Sequence, residues 1–336
     1  MSSVLPFICR FNMSEMSENI VPEVADKTAS QSESQSPVQS EPQSASQMPE
    51  NGEKTTPMLG RWWDALVVMI LFTVAMVTGG VVCGFIAPLV GMELPNEVMR
   101  ESVDPEVVEQ VRFLQSRMVA VSYLVAMIVG LLLVRFYSQW RGWREPFSHR
   151  KVGWSFPFRL LCGYLLMWCV SITVDPLAEM LPGDQSSLGG GGWLLFSAVL
   201  LAPVFEETIF RGYIAGMLRR SYGGVAAWLV SSILFGVVHG APSVAVSATC
   251  SGLVLGFYFL RYRSLMMVIM LHAMNNITAC FLKTIEMDEL SVREIISNDK
   301  VYWVVYGVSA LVTLVALWRM TVAVSRLKSD NIEQKK

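Results

Sequence analysis

Apolar residues occur in long, nearly unbroken runs over most of this sequence, from Trp62 onward. Each run approaches the ~20 residues that an α-helix needs to cross the hydrocarbon core of a bilayer. A helix satisfies its backbone hydrogen bonds internally, so such runs favour membrane-spanning helices. We therefore predict an all-α fold, a polytopic transmembrane helical bundle of about eight spans. The spans are expected at about residues 64–90, 118–136, 157–177, 193–217, 224–240, 243–260, 264–284 and 301–322.

The first 60 residues have a different composition from the rest. Residues 13–57 are rich in Ser, Gln, Glu and Pro and contain too few apolar residues to offset chain entropy. We predict a disordered tail over 1–60, a first group of transmembrane helices over 61–190, a core over 191–285, and a last span with a basic tail over 286–336. Gly240, Ala241 and Pro242 separate the fifth and sixth runs, and this short break predicts a helical hairpin.

Composition supports a lipid environment. Hydrophobic residues make up 53% of the chain and charged residues only 16%, whereas soluble domains carry roughly 25% charged residues. The mean hydropathy is +0.45. With a formal net charge of -2, the chain lacks the basic excess that nucleic-acid binding needs. Membrane lipid is therefore an expected partner and nucleic acid is not.

Charges in the connections between spans alternate in sign. Cytoplasmic loops of membrane proteins collect Lys and Arg, so this alternation predicts orientation. The first connection should lie outside and the second inside, which places both termini in the cytoplasm. The first connection contains Glu93, Glu97, Glu101, Asp104, Glu106 and Glu109, and the second contains Arg135, Arg141, Arg144, Arg150 and Lys151.

Ionisable residues within the fourth span are the first candidates for chemistry, because charged groups in a bilayer are costly. Glu207 and Arg211 are four residues apart, so they share a helix face and are expected to pair. Glu206 is turned about 100° away and has no partner in its own helix. An unpaired carboxylate in an apolar site is suited to act as a general base. The alternative is that both glutamates only join helices by hydrogen bonds.

Two histidines complete the candidate site. Phe235 and His239 end the fifth span, while His272 and Asn276 are four apart on one face of the seventh. A single histidine in an apolar helix is usually structural, but two of them with a pair of glutamates predict a site. Serine-type and aspartate-type intramembrane proteases fit poorly, because no histidine follows Ser309 in the last span and no aspartate pair lies centrally in the spans.

The motifs EExxxR, FxxxH and HxxxN on successive spans resemble those of the CPBP family, the CAAX protease and bacteriocin-processing (Abi-type) proteins. The resemblance covers about residues 193–285 and is closest to type II CAAX prenyl endopeptidases. It implies an intramembrane endopeptidase in which Glu206 and His239 activate a water. It also implies that His272 and Asn276 stabilise the oxyanion. The supporting residues would be Glu207, Arg211 and Phe235.

Several questions stay open at the level of sequence. Glu206, His239 and His272 form a possible zinc-binding set, yet the same residues also suit a metal-free mechanism, and no HExxH motif decides between them. The substrate is expected to be a peptide or protein, either prenylated or bacteriocin-like, and the location a bacterial plasma membrane. Buried Glu and His also occur in proton-coupled transporters, and a catalytically silent membrane scaffold is a further alternative.

Overall fold

The computed structural model describes residues 60–91, 104–143, 153–183, 191–285, 287 and 290–327. The predicted disordered tail lies outside the described residues except for Gly60, as do many of the loop charges on which the orientation rests. Within the described ranges the regular elements are all helical, which confirms the predicted fold class. The helices are α1 Trp62–Leu89, α2 Pro105–Trp140, α3 Phe156–Glu179, α4 Gly191–Tyr222, α5 Gly224–Val237, α6 Pro242–Tyr262, α7 Leu265–Thr284, α8 Val292–Ile296 and α9 Asp299–Ser325.

Seven of these helices are long and apolar enough to cross a membrane, and they coincide with seven of the eight predicted spans. The remaining stretch, predicted over 224–240, forms the shorter α5 of 14 residues. Helix α5 ends at Val237 because Gly240 has a positive φ of 80° and Pro242 begins the next helix. Such a helix is about 21 Å long, against about 30 Å for the hydrocarbon core.

Helix α4 is the centre of the bundle. Its most apolar window is 61% buried inside the protein, whereas that of α9 is only 11% buried. The helix is not uniform, because Phe196–Leu201 and Thr208–Ala215 have π-helical hydrogen bonding on either side of an α-helical turn, Ala202–Glu207. Pro203 begins that turn and lacks the backbone N–H that a regular helix would use. Wide turns of this kind are frequent at functional sites.

Helices α5 and α6 form the predicted hairpin, and small residues allow their close approach. A Cβ added at Gly236 would lie 1.8 Å from Thr249 Oγ1, so only glycine fits this contact. The GxxxG pair of α6 also packs here: added Cβ atoms at Gly252 and Gly256 would meet Ser232 on α5 within 3.3 Å. The hairpin brings the end of α5 against the middle of α4.

Helices α1 and α2 are joined by a buried ion pair near one end of the bundle. Arg141 donates two hydrogen bonds to the fully buried Asp64, one to each carboxylate oxygen and each at 3.0 Å. Tyr137 and the backbone N–H of Arg61 also donate to this carboxylate. With its donors satisfied, the pair serves as a structural link between the helices.

Candidate active site

Four ionisable side chains from α4 and α7 meet in the interior. Glu206 is 2% exposed, His272 is 5% exposed, and Glu207 and Arg211 are fully buried. Arg211 Nη1 donates to Glu207 Oε1 at 3.1 Å, so the predicted pair on one helix face is present. Arg211 Nη2 donates to the carbonyl oxygen of Gly252 at 3.1 Å, which links the pair to α6. The buried charges of Glu207 and Arg211 therefore have hydrogen-bond partners on α4, α6 and α7.

Glu207 also orients the histidine of α7. His272 Nδ1 lies 2.9 Å from Glu207 Oε1, which already accepts from Arg211. A carboxylate at Nδ1 fixes the plane of an imidazole ring and favours a proton on that nitrogen. The ring then presents Nε2 to the neighbouring carboxylate, since His272 Nε2 lies 3.9 Å from Glu206 Oε2.

Glu206 has a partner that the sequence reading missed. Tyr123, fully buried on α2, donates its hydroxyl to Glu206 Oε1 at 2.6 Å. Among the described residues, Glu206 Oε2 makes no hydrogen bond. The carboxylate is thus anchored through one oxygen and has the other oxygen facing His272. A tyrosine within an apolar run gives no sequence signal of this role, because the contact joins residues 83 positions apart.

His239 lies apart from these carboxylates. Its Nδ1 is 2.7 Å from the carbonyl oxygen of Phe235, and no described hydrogen bond or ion pair joins it to Glu206 or His272. The Phe235 ring contacts both histidines edge-on, with centroid distances of 4.9 Å to His239 and 5.5 Å to His272. The same ring stacks under the Arg211 guanidinium at 4.3 Å.

Asn276 is directed to the wide turn of α4. Its Nδ2 donates to the carbonyl oxygen of Ala198 at 2.7 Å, within the π-helical segment that precedes Pro203. His272 and Asn276, which were predicted to share one face of α7, therefore both contact α4. One N–H of the Asn276 amide is used in this bond, and the other is available to a ligand.

The residues predicted to bind zinc do not form a ligand cluster in this arrangement. Within the described ranges, no group of three or more His, Cys, Asp or Glu side chains is placed to hold a metal ion. Glu206 and His272 are near each other, but within the described ranges no hydrogen bond or ion pair joins His239 to either of them.

Comparison with known proteins agrees with the motif reading. Residues 189–278 match the family described as type II CAAX prenyl endopeptidase Rce1-like. This part of the chain is therefore similar to the type II CAAX prenyl endopeptidases. The match includes all seven predicted site residues, from Glu206 to Asn276. It supports a CAAX-type membrane peptidase and favours neither the transporter nor the scaffold alternative.

A relative in Bacillus subtilis (strain 168), named "Putative membrane peptidase YdiL", is 30% identical over 83 residues. This similarity covers 25% of the chain and about a third of the relative, 34% of its length. No solved structure matches the chain significantly. The family match covers α4, α5, α6 and most of α7.

Proposed function

We propose that this protein is an intramembrane endopeptidase in which Glu206 acts as the general base on a water molecule. The observation that carries this proposal is the pair formed by Glu206 Oε2 and His272 Nε2. The two atoms are 3.9 Å apart, and Oε2 makes no hydrogen bond among the described residues. A water hydrogen-bonded to both atoms would lie about 2.8 Å from each, which is ordinary hydrogen-bond geometry.

The chemistry follows from these positions. Glu206 removes a proton from the water, and the resulting hydroxide attacks the carbonyl carbon of the scissile peptide bond. The negative charge that develops on the carbonyl oxygen needs donors, and Asn276 and His272 are the proposed ones. With Nδ1–H bonded to Glu207, His272 donates from Nε2 only when both ring nitrogens carry a proton. Collapse of the intermediate breaks the C–N bond, and the proton held by Glu206 passes to the leaving amine. No atom beyond the water and the peptide is consumed.

The neighbours of this site have supporting roles in the proposal. Glu207 holds the His272 ring, Arg211 compensates the charge of Glu207, and Phe235 packs against both Arg211 and His272. The resemblance assigns His239 to the same water as Glu206, but the two side chains share no described contact. His239 is therefore the proposed residue whose role depends most on experiment.

The substrate is proposed only as a peptide or protein presented at the membrane. A prenylated C-terminal peptide and a bacteriocin-like peptide are the two candidates to assay, and the contacts of the site do not choose between them. Both should be offered to the purified protein in lipid bilayers, with product identified by mass spectrometry.

The decisive variant is Glu206→Gln, which keeps the shape and can still accept from Tyr123 but removes the base. We expect a loss of turnover on the order of 10²-fold or more. The matched control is Glu109→Gln, the same chemical change at an exposed position of α2, which should cleave at the wild-type rate. Wild-type turnover by the Glu206→Gln protein would contradict the mechanism.

Metal dependence is tested separately by elemental analysis of the purified protein. For the metal-free mechanism we expect substoichiometric zinc and activity that survives chelation. Stoichiometric zinc that is lost in a His239→Ala protein, together with activity restored by added metal, would refute that mechanism.

A further inference from the structure

A pocket lined by arginines lies between α6 and α9. Its cavity has a volume of about 550 Å³, and three cations line it, Arg261, Arg319 and Arg326. The residues of its apolar part include Phe257, Trp318 and Val322. Among the described residues, no aspartate or glutamate lines the cavity. We call this feature the arginine pocket.

Helix periodicity explains why the arginines converge. Phe257 and Arg261 are four apart on α6, so they share a helix face. Arg319 on α9 and Arg326, which directly follows α9 in a helical conformation, are seven residues or about two turns apart and lie on the same side. None of the three guanidinium groups has an ion pair with a carboxylate among the described residues. Three like charges around one cavity repel each other unless an anion lies between them.

The arginine pocket lies at the C-terminal ends of two apolar helices, α6 and α9. Arg261 is in the last turn of α6, and Arg326 directly follows α9. The backbone N–H of Gly224 donates to the carbonyl oxygen of Leu327 at 2.8 Å, so this end of α9 is level with the start of α5. This end of the bundle is basic, because Arg219 and Arg220 lie in the last turn of α4, just before α5 begins at Gly224. Lipid headgroups occupy this level in a bilayer.

We propose that the arginine pocket binds the phosphodiester headgroup of an anionic phospholipid. Guanidinium groups bind phosphate oxygens bidentately, which an ammonium cannot do. The ring of Trp318 and the side chains of Phe257 and Val322 provide an apolar surface for the first carbons of the acyl chains. Basic pockets between transmembrane helices on the cytoplasmic side are known to bind such headgroups. This lipid site goes beyond the proposed peptidase function and does not depend on it.

The experiment compares the thermal unfolding of the full-length protein in nanodiscs of phosphatidylcholine alone and of phosphatidylcholine mixed with phosphatidylglycerol. A ligand that binds only the folded state raises the melting temperature. We expect the mixed bilayer to raise Tm by at least about 3 °C for the wild type. The variant Arg261→Gln/Arg319→Gln/Arg326→Gln should lose most of this rise, and it should fold because all three side chains are exposed.

The control removes the same charge at the other end of the bundle, as Arg112→Gln/Arg117→Gln/Lys300→Gln. This control should keep the wild-type rise in Tm, because its arginine pocket is intact. If the rise came only from general attraction between a basic protein and an anionic surface, both variants would lose it equally. An equal response of both triple variants would overturn the proposal. Inorganic phosphate added to phosphatidylcholine nanodiscs tests whether the pocket binds a soluble phosphate ion instead of a lipid headgroup. If free phosphate at millimolar concentration gives the whole rise in Tm, the pocket binds a soluble anion and the lipid assignment is wrong.

Discussion

Two adjacent glutamates on α4 have different partners because consecutive helix residues point about 100° apart. The sequence was sufficient to predict that Glu207 pairs with Arg211 and that Glu206 does not. It was insufficient to predict that Glu207 also holds His272, or that Tyr123 anchors Glu206. Both contacts join different helices, and helix periodicity carries no information about which residues of distant helices meet.

The Tyr123 hydroxyl positions the proposed base, so its removal should affect turnover more than substrate binding. In Tyr123→Phe we expect kcat to fall by about 10-fold, which corresponds to about 1.4 kcal/mol, the size of one hydrogen bond to a charged group. The Michaelis constant should stay within a factor of two or so. Steady-state kinetics with a peptide substrate measure both.

A matched control lies on the same helix. Tyr137 donates to the buried Asp64 as Tyr123 donates to Glu206, but far from the proposed site. Tyr137→Phe should lower the melting temperature and leave kcat unchanged. If both variants lose the same turnover, the Tyr123 hydroxyl is structural and the positioning role is wrong.

Glu207 should be essential for stability. In Glu207→Gln, the fully buried Arg211 loses its counter-charge, and breaking a buried pair in this way costs about 3–5 kcal/mol. We expect poor expression and a lower unfolding temperature in a thermal melt. The double variant Glu207→Gln/Arg211→Met removes the isolated charge and should recover part of the stability. A Glu207→Gln protein that melts like the wild type would contradict this account.

At the scale of elements, the lengths of the apolar runs and the Gly and Pro residues between them predicted the helices well. The hairpin of α5 and α6 follows from Gly240 and Pro242, which stop one helix and start the next. The π-helical turns of α4 were not predicted, because an apolar helix of either type shows the same run of residues. Only Pro203, in the middle of a span, indicated a local departure from regular hydrogen bonding.

The hairpin offers a test of close packing. Gly236→Ala places a methyl group 1.8 Å from Thr249 Oγ1 and 2.5 Å from the carbonyl oxygen of Ala245, so the two helices must separate. We expect a loss of about 1–3 kcal/mol in the free energy of unfolding. Because Phe235 is the neighbouring residue, turnover should fall as well. Denaturant unfolding and the peptide assay measure the two effects.

The same substitution at Gly307 on α9 is the control, because an added Cβ there meets nothing within 4 Å. Gly307→Ala should be neutral or slightly stabilising, since alanine favours the helix. Equal destabilisation by both substitutions would mean that helix propensity, and not contact between α5 and α6, sets the result.

At the scale of the whole molecule, the sequence predicted the all-α bundle and its membrane location, but the orientation stays a prediction. It rests largely on loop charges outside the described residues. The resemblance at 189–278 also left the first three helices without functional detail, which is where Tyr123 was found.

Cysteine labelling tests this orientation in a background without native cysteines. Cysteines at Gly142 and Asp330 should resist a membrane-impermeant reagent applied from outside, and a cysteine at Glu106 should react. All three become reactive in opened membranes, which is the control for accessibility. Labelling of Gly142 or Asp330 in intact cells would reverse or break the predicted topology.

The short length of α5 has a consequence for where solvent can go. Its 14 residues end well before a full crossing, and the chain covers the remaining depth through the turn that contains His239. Turn backbone at that depth is tolerated only when it borders protein or a hydrated cavity. Hydrolysis consumes one water for every bond cleaved, and hydrocarbon holds almost none. If the protein hydrolyses peptides as proposed, we expect water to enter beside the half-exposed His239 on this turn.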